Sequence, residues 1–154
     1  MSKVLTLGYE FEHDYSLIAI NSTLEDYRLA YLLNKKLNIN LICEPKGLEF
    51  TDKNCSFIQF NYYCNIEYYS WSLIANKHIF TVINTDKNYL FEEDSKISYL
   101  INEKKEVDYF LKFSGDIDIN SLHPLIQNIK KIQGVVTSYT INPLTLKSKD
   151  YLIF

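Results

Sequence analysis

Apolar residues recur three or four positions apart in two stretches of this sequence, one near its start and one near its end. Such spacing gives an α-helix a single apolar stripe, which is stable only when another layer of structure covers it. The sequence between the two stretches is β-prone, so we expect the covering layer to be a sheet. The stripes are Leu29, Ala30, Leu33 and Leu37 in the first helix and Leu122, Leu125, Ile126, Ile129 and Ile132 in the second.

Particular residues mark the ends of both helices. The string Ser22-Thr23-Leu24-Glu25 has the S/T-x-x-E pattern of a capping box, which predicts a helix start there. Asn38 is expected to end this helix. In the second helix Pro124 is tolerated only if it lies in the first turn, and Gly134 is expected to follow the last turn.

Runs of β-branched and aromatic residues predict the strands. Strand, helix and strand follow one another over Tyr15–Cys43 and over Val107–Ile141, which predicts two β-α-β units with parallel pairing in each. The predicted fold class is α+β: a two-layer α/β sandwich in which a mixed, mainly antiparallel sheet carries two helices on one face, with ferredoxin-like character. The expected strands are Val4–Leu7, Tyr15–Ile20, Ile39–Cys43, Phe57–Tyr63, Glu67–Ile74, Ile79–Ile83, Lys96–Ile101, Val107–Phe113 and Val135–Ile141.

Composition excludes several classes of protein. A chain of 154 residues fits one domain, predicted to cover 1–154. A net charge of -3 argues against a protein that coats nucleic acid. No run of about 20 apolar residues and no secretory signal is present, so we predict a cytoplasmic protein without a membrane contact. With 4 glycines and widely spaced cysteines and histidines, neither a cofactor nor a metal is predicted; these residues are Cys43, Cys55, Cys64, His13, His78 and His123.

Arg28 is the only arginine among 16 lysines and arginines, and a bidentate or stacking contact is what lysine cannot make. One interpretation is that Arg28 binds an anionic group near Tyr27 and Tyr31. The other is that Arg28 braces the fold, while Asp26, which projects toward the core side of the first helix, accepts structural hydrogen bonds. We favour the second interpretation and keep the first open.

Aromatic residues concentrate in the middle of the chain and could form a stacking platform for bases. No RNP-like string accompanies them, and tyrosine and tryptophan are equally common at protein interfaces. We therefore favour core packing plus a protein interface. Asp108 and Tyr109, on a strand predicted to be central, are expected to face opposite sides of the sheet, with Asp108 in a polar network. The aromatic residues are Tyr62, Tyr63, Tyr68, Tyr69 and Trp71.

Four spaced strings resemble the IPExxxVDY family, a group of small bacterial proteins. The resemblance covers nearly the full length, although Asn102 stands where the family has proline. It implies no activity; the family's genes often lie near those for acyl carrier protein and ribonuclease III, a weak pointer to lipid synthesis or RNA metabolism. The strings are Asp26-Tyr27-Arg28-Leu29 with Asn34, Leu73-Ile74-Ala75-Asn76-Lys77, Ile101 to Tyr109 followed by Phe110-Leu111, and Leu146-Lys147-Ser148-Lys149 with Leu152 and Phe154.

The functional prediction is a non-catalytic binding or adaptor protein that presents an aromatic-rich surface to another protein or to a second copy of itself. The alternative is an RNA-associated factor, and a small enzyme comes third. A structure in which Asp26, Arg28 and Asp108 converge would favour a common site. The candidate binding residues are Asp26, Tyr27, Arg28, Tyr31, Asn34, Tyr63, Trp71, Asn76, Lys77, Asp108 and Tyr109.

Overall fold

A computed structural model describes residues 13–52, 55–83, 93–116 and 119–154. The predicted strand Val4–Leu7 lies outside these ranges. The helices are α1 (Asp26–Leu37) and α2 (Ile119–Lys130), with 3-10 turns at Asn102–Lys104, Pro143–Thr145 and Lys149–Leu152. The strands are β1 (Ser16–Ser22), β2 (Ile42–Cys43), β3 (Leu48–Phe50), β4 (Cys55–Phe57), β5 (Gln59–Cys64), β6 (Tyr69–Ala75), β7 (Lys77–Ile83), β8 (Glu93–Tyr99), β9 (Tyr109–Ser114) and β10 (Val135–Ile141).

Six of the described strands form one sheet in the order β10-β1-β9-β6-β5-β2, and every neighbouring pair is antiparallel. The α+β class with a mainly antiparallel sheet is therefore confirmed. The short hairpins β3–β4 and β7–β8 stand apart from this sheet. The ferredoxin-like character stays a prediction.

The predicted parallel pairing within the two β-α-β units is wrong. Strands β9 and β10 point the same way, but β1 lies between them and pairs with both. In the first unit three strands separate β1 from β2. The reason lies in β1 itself, because the side chains of residues 17–20 are all buried and such a strand belongs in the middle of a sheet.

Both helices lie on one face of the sheet, as predicted. Alternate residues of β1, β6 and β9 point to that face and pack against the apolar stripes of α1 and α2. Burial of these side chains, at roughly 25 cal/mol per Å² of apolar surface, is the main stabilising contribution. The residues in this core include Ile18, Ile20, Leu73, Leu111 and Phe113 from the sheet and Leu29, Leu33, Ile126 and Ile129 from the helices.

Part of the opposite face of the sheet is also buried. Chain segments without long helices cover it: the turn around 101–107, the hairpin β3–β4 and the end of the chain. The predicted two-layer arrangement is thus supplemented by irregular structure on the second face. The side chains in this second core include Leu17, Ala19, Ile74 and Phe110 from the sheet and Phe57, Ile101, Val107, Leu146 and Leu152 from the covering segments.

Helix α1 begins three residues later than predicted. Its N-cap is Glu25, with no side-chain capping bond. Ser22 ends β1 instead, and its hydroxyl accepts from the Leu24 amide at 3.0 Å and donates to the Gly134 carbonyl at 2.9 Å. Asn38 ends the helix in the left-handed conformation (φ 54°), as expected. In α2, Pro124 lies beyond the first turn, because this helix begins at Ile119.

Candidate functional site

The predicted site residues Asp26, Asp108 and Arg28 lie in two separate surface depressions beside α1. Asp26 and Asp108 come together in a cleft of about 280 Å³ at the start of α1, whereas Arg28 lines a different groove on the side of α1 that faces the end of α2. The three residues therefore do not converge. The first site, called here the acidic cleft, is lined by Ser22, Glu25, Asp26, Ile58, Ala75, Lys77, Asp108 and Tyr109.

Both carboxylate oxygens of Asp108 are engaged. Its Oδ2 accepts from the Ser22 amide at 2.9 Å, and its Oδ1 lies 3.1 Å from the ammonium of Lys77. Asp108 is thus part of a polar network, as predicted, but it precedes β9 and lines the same cleft as Tyr109, so the prediction that the two face opposite sides of the sheet is wrong. Asp26 is satisfied locally, since its Oδ1 accepts from the Tyr27 amide at 2.8 Å. Contacts within the fold therefore engage both oxygens of Asp108 and one oxygen of Asp26.

Tyr109 contributes its ring to the helix-side core and its hydroxyl to α1. The hydroxyl donates to the Leu24 carbonyl oxygen at 2.9 Å. Burial, together with the negative charges of Asp26, Asp108 and Glu25, raises the pKa of Tyr109 to about 12. The phenol therefore keeps its proton at neutral pH and acts as a hydrogen-bond donor.

The two candidate asparagines join parts of the fold. Asn34, on α1, donates to the Leu41 carbonyl at 3.2 Å and accepts from the Leu41 amide at 2.7 Å, which fixes the chain after the helix. Asn76 is fully buried, and its side chain binds three backbone groups of the segment 101–107. A buried amide with all these partners is a structural element.

The candidate aromatic residues divide into buried and exposed sets. Trp71 is 6% exposed and packs edge-on against Phe113, with ring centroids 4.6 Å apart, in the helix-side core. Its inclusion as a surface binding residue is thus corrected, because β-strand alternation turns it toward the helices. Tyr27, Tyr31 and Tyr63 are 63%, 61% and 59% exposed. Two of these exposed rings lie on α1, one turn apart.

The groove next to Arg28 is larger, about 610 Å³, and combines apolar and cationic walls. Leu24, Leu32 and Ile132 provide its apolar part. Of the residues that the structure describes, no carboxylate lines it. We call this site the cationic groove, and it is lined by Leu24, Arg28, Leu32, Lys35, Lys36, Ile132, Gln133 and Gly134.

The charges of the cationic groove are free to meet a ligand. Arg28 is exposed and makes no hydrogen bond or ion pair with any described residue. The ammonium of Lys35 lies 5.9 Å from the centroid of the Tyr31 ring. The sequence singled out Arg28 but not Lys35 or Lys36. Helical spacing could have pointed to these lysines. Leu32 and Lys35 follow Arg28 by four and seven positions and therefore lie on the same side of α1.

Within the described ranges, no group of three or more His, Cys, Asp and Glu side chains could hold a metal ion, and no helix is long and apolar enough to span a membrane. Comparison of the chain with family models, curated proteins and solved structures found no match. The interpretation of the site therefore depends on its own geometry.

Proposed function

We propose that this protein is a non-catalytic adaptor that binds an acidic, partly apolar segment of another protein in the cationic groove and along the exposed tyrosines of α1. The observation that carries the proposal is Arg28, the only arginine of the chain, which lies exposed and unpaired among the described residues beside an apolar wall.

Charge selects the partner. Arg28, Lys35 and Lys36 give the groove three positive charges and no lining carboxylate in the described part of the chain, so a carboxylate-bearing segment gains favourable contacts that a neutral one lacks. Groove-to-groove contact between two copies would be repulsive for the same reason. The planar guanidinium of Arg28 can bind a carboxylate through two parallel hydrogen bonds.

Apolar contact supplies the remaining affinity. Leu24, Leu32 and Ile132 can bury the apolar side chains of a bound segment. Tyr27 and Tyr31, exposed on the adjacent flank of α1, are of the residue type that carries much of the binding energy at protein interfaces. A partner with acidic and apolar residues on one face would match both features.

The non-catalytic part of the proposal is supported by the acidic cleft. Its most enzyme-like groups are already engaged, because Asp108 uses both oxygens within the fold and Tyr109 retains its proton at neutral pH. We place the interaction in the cytoplasm, where free thiols such as those of Cys43, Cys55 and Cys64 are usual.

Membership of the IPExxxVDY family is also a proposal. It is supported by contacts between the strings on which the resemblance depends. Asn76 binds the segment 101–107, and the Glu103 carboxylate accepts from the amide of Ser148 at 2.7 Å and from its hydroxyl at 2.8 Å. Asp26 and Asp108 line one cleft. These strings therefore form one connected structure.

The test is affinity capture from a lysate of the protein's own cells, with wild type, Arg28→Ala, Arg28→Lys and the control Lys46→Ala as baits. Lys46 is exposed and does not line the groove. We expect the captured amount of one partner protein to fall roughly tenfold with the Arg28→Ala bait and by less with Arg28→Lys. The captured amount should be unchanged with Lys46→Ala. Crosslinks from Lys35 or Lys36 should map to an acidic segment of that partner.

Two outcomes contradict the proposal. A set of captured proteins that does not depend on Arg28 would remove the groove as the binding site. Capture that disappears after ribonuclease treatment would favour the RNA alternative, since the same three cations can neutralise phosphates.

A further inference from the structure

We infer that β10 is a self-association edge, at which two copies of this chain pair antiparallel and join their sheets. Among the strands of the described ranges, β10 is the last of the six-stranded sheet, and its one partner there is β1. In the described part of the chain, no backbone group pairs with its outer edge. A row of unpaired amides and carbonyls of this kind is a ready template for another strand.

Two of the other described edges have features that prevent such pairing. At the opposite end of the sheet, β2 has two residues and is soon followed by Pro45. The hairpin β7–β8 carries lysines at positions 77 and 96. Short strands, proline and lysine are the usual means by which proteins keep edges unpaired.

Strand β10 lacks all of these features. Its seven residues, Val-Val-Thr-Ser-Tyr-Thr-Ile, include no charge and no proline and are rich in β-branched side chains. Val136 is 72% exposed, although it is an apolar residue in the middle of an uncharged strand. An edge that had to remain unpaired would be expected to carry a charged residue at this position.

The absence of charge also points to a second copy as the occupant. About a twofold axis through Ser138, Val136 would face Thr140 of the partner subunit, and Thr137 would face Tyr139 of the partner subunit. Pairs of β-branched and aromatic residues stabilise antiparallel strands, and no like charges meet. The same surface serves both copies, as in most symmetric dimers.

This dimer leaves the proposed function intact. The cationic groove ends at Gly134, directly before β10 begins at Val135. Antiparallel pairing puts the start of one β10 opposite the end of the other, so the two grooves would lie roughly 26 Å apart along the strand direction. Each groove stays open, and the inference can fail or hold independently of the proposed function.

Sedimentation velocity of the full chain over a wide micromolar range tests the inference. We expect the wild type to sediment as a dimer, with twice the mass of the 18.2 kDa chain. The double variant Val136→Lys/Thr140→Lys should weaken dimerisation roughly tenfold or more, because the new charges meet across the twofold axis. Circular dichroism checks that the variant folds. The matched control is Ile79→Lys, which replaces an equally exposed apolar residue on β7 and should leave the dimer intact.

Hydrogen exchange gives a second readout that needs no variant. Amides of β10 should exchange faster on dilution of the wild type, while those of β6, in the middle of the sheet, should not change. A wild-type chain that stays monomeric at the highest concentration overturns the inference. So does a dimer that survives the double lysine variant, because its interface would then lie elsewhere.

Discussion

The backbone amide of Asn76 donates to the carbonyl oxygen of Asp108 at 3.0 Å, where β6 ends beside the start of β9. From the same position the Asn76 side chain accepts from the Ile101 amide and donates to the carbonyls of Lys104 and Val107, all within 2.9 Å. One buried residue thus holds both ends of the turn that leads to Asp108. The same turn covers part of the second face of the sheet, opposite the helices.

Asn76→Ala is therefore expected to be strongly destabilising. It leaves the Ile101 amide and the Val107 carbonyl without partners in a buried site, and it removes one of the two hydrogen bonds of the Lys104 carbonyl, which still accepts from the Val107 amide. This should lower the free energy of unfolding by about 3–5 kcal/mol. Urea denaturation measures the change. Asn128→Ala, at an exposed position on α2, is the matched control and should change it by less than about 0.5 kcal/mol. A loss below about 1 kcal/mol for Asn76→Ala would contradict the structural role given to this residue.

The ion pair between Lys77 and Asp108 is expected to contribute little, although both residues line the acidic cleft. Lys77→Ala should cost below about 0.5 kcal/mol, because exposed pairs are screened by water. Asp108→Ala should cost about 1–2 kcal/mol, because the Ser22 amide also loses its acceptor.

A double-mutant cycle of Lys77→Ala and Asp108→Ala isolates the pair itself, and we expect a coupling energy below about 1 kcal/mol. Asp108→Asn keeps an acceptor for Ser22 and should retain most of the stability. A coupling above roughly 2 kcal/mol would mean that the ion pair, and not the Ser22 contact, explains the position of Asp108.

Lys112 should make the free energy of unfolding vary with pH in the alkaline range. It lies buried on β9, where its ammonium donates to the Leu152 carbonyl at 2.7 Å and lies 4.4 Å and 4.2 Å from the ring centroids of Tyr15 and Phe154. Burial lowers the pKa of Lys112 from 10.5 to about 8. Between these two pH values the unfolded chain binds more protons than the folded chain, so stability rises with pH.

We therefore expect the stability of wild type relative to Lys112→Met to increase between about pH 8 and pH 10, by an amount on the order of 1–2 kcal/mol. Urea unfolding of both proteins at several pH values measures it, and the difference between them removes the contribution of groups that titrate in both. A difference that stays flat across this window would mean that the Lys112 ammonium is not desolvated in the folded chain.

Gly134 should tolerate no side chain. Its φ is +104°, and a Cβ atom there would lie 2.5 Å from Cγ of Leu24. Gly134→Ala should destabilise the fold by about 2 kcal/mol through backbone strain and overpacking, measured by urea unfolding. Gln133→Ala, one residue earlier and exposed, is the control and should be nearly neutral. Equal stability of the two variants would contradict the prediction, because it would mean that the turn at Gly134 can move away from the Leu24 side chain at no cost.

The helices were predicted well because their evidence is local. The stripe in α1 is set by residues within one or two turns of each other, and Asn38 ends it by a conformation that asparagine adopts readily. The start of α1 was misplaced because Ser22 hydrogen-bonds Gly134, a residue more than a hundred positions away. A cap pattern is local evidence, and here the distant partners Asp108 and Gly134 hold Ser22 at the end of β1, where its hydroxyl accepts from the Leu24 amide.

The sequence by itself determined the α+β class, the two helices on one face and the unusual status of Arg28, because periodicity and composition are properties of the chain. Only the tertiary structure decided that β1 separates β9 from β10, that Trp71 turns inward, and that Asp26 and Asp108 share a cleft from which Arg28 is excluded. These depend on which strands become neighbours. Strand order is set by the burial of both sheet faces together, a cooperative property that no single segment encodes.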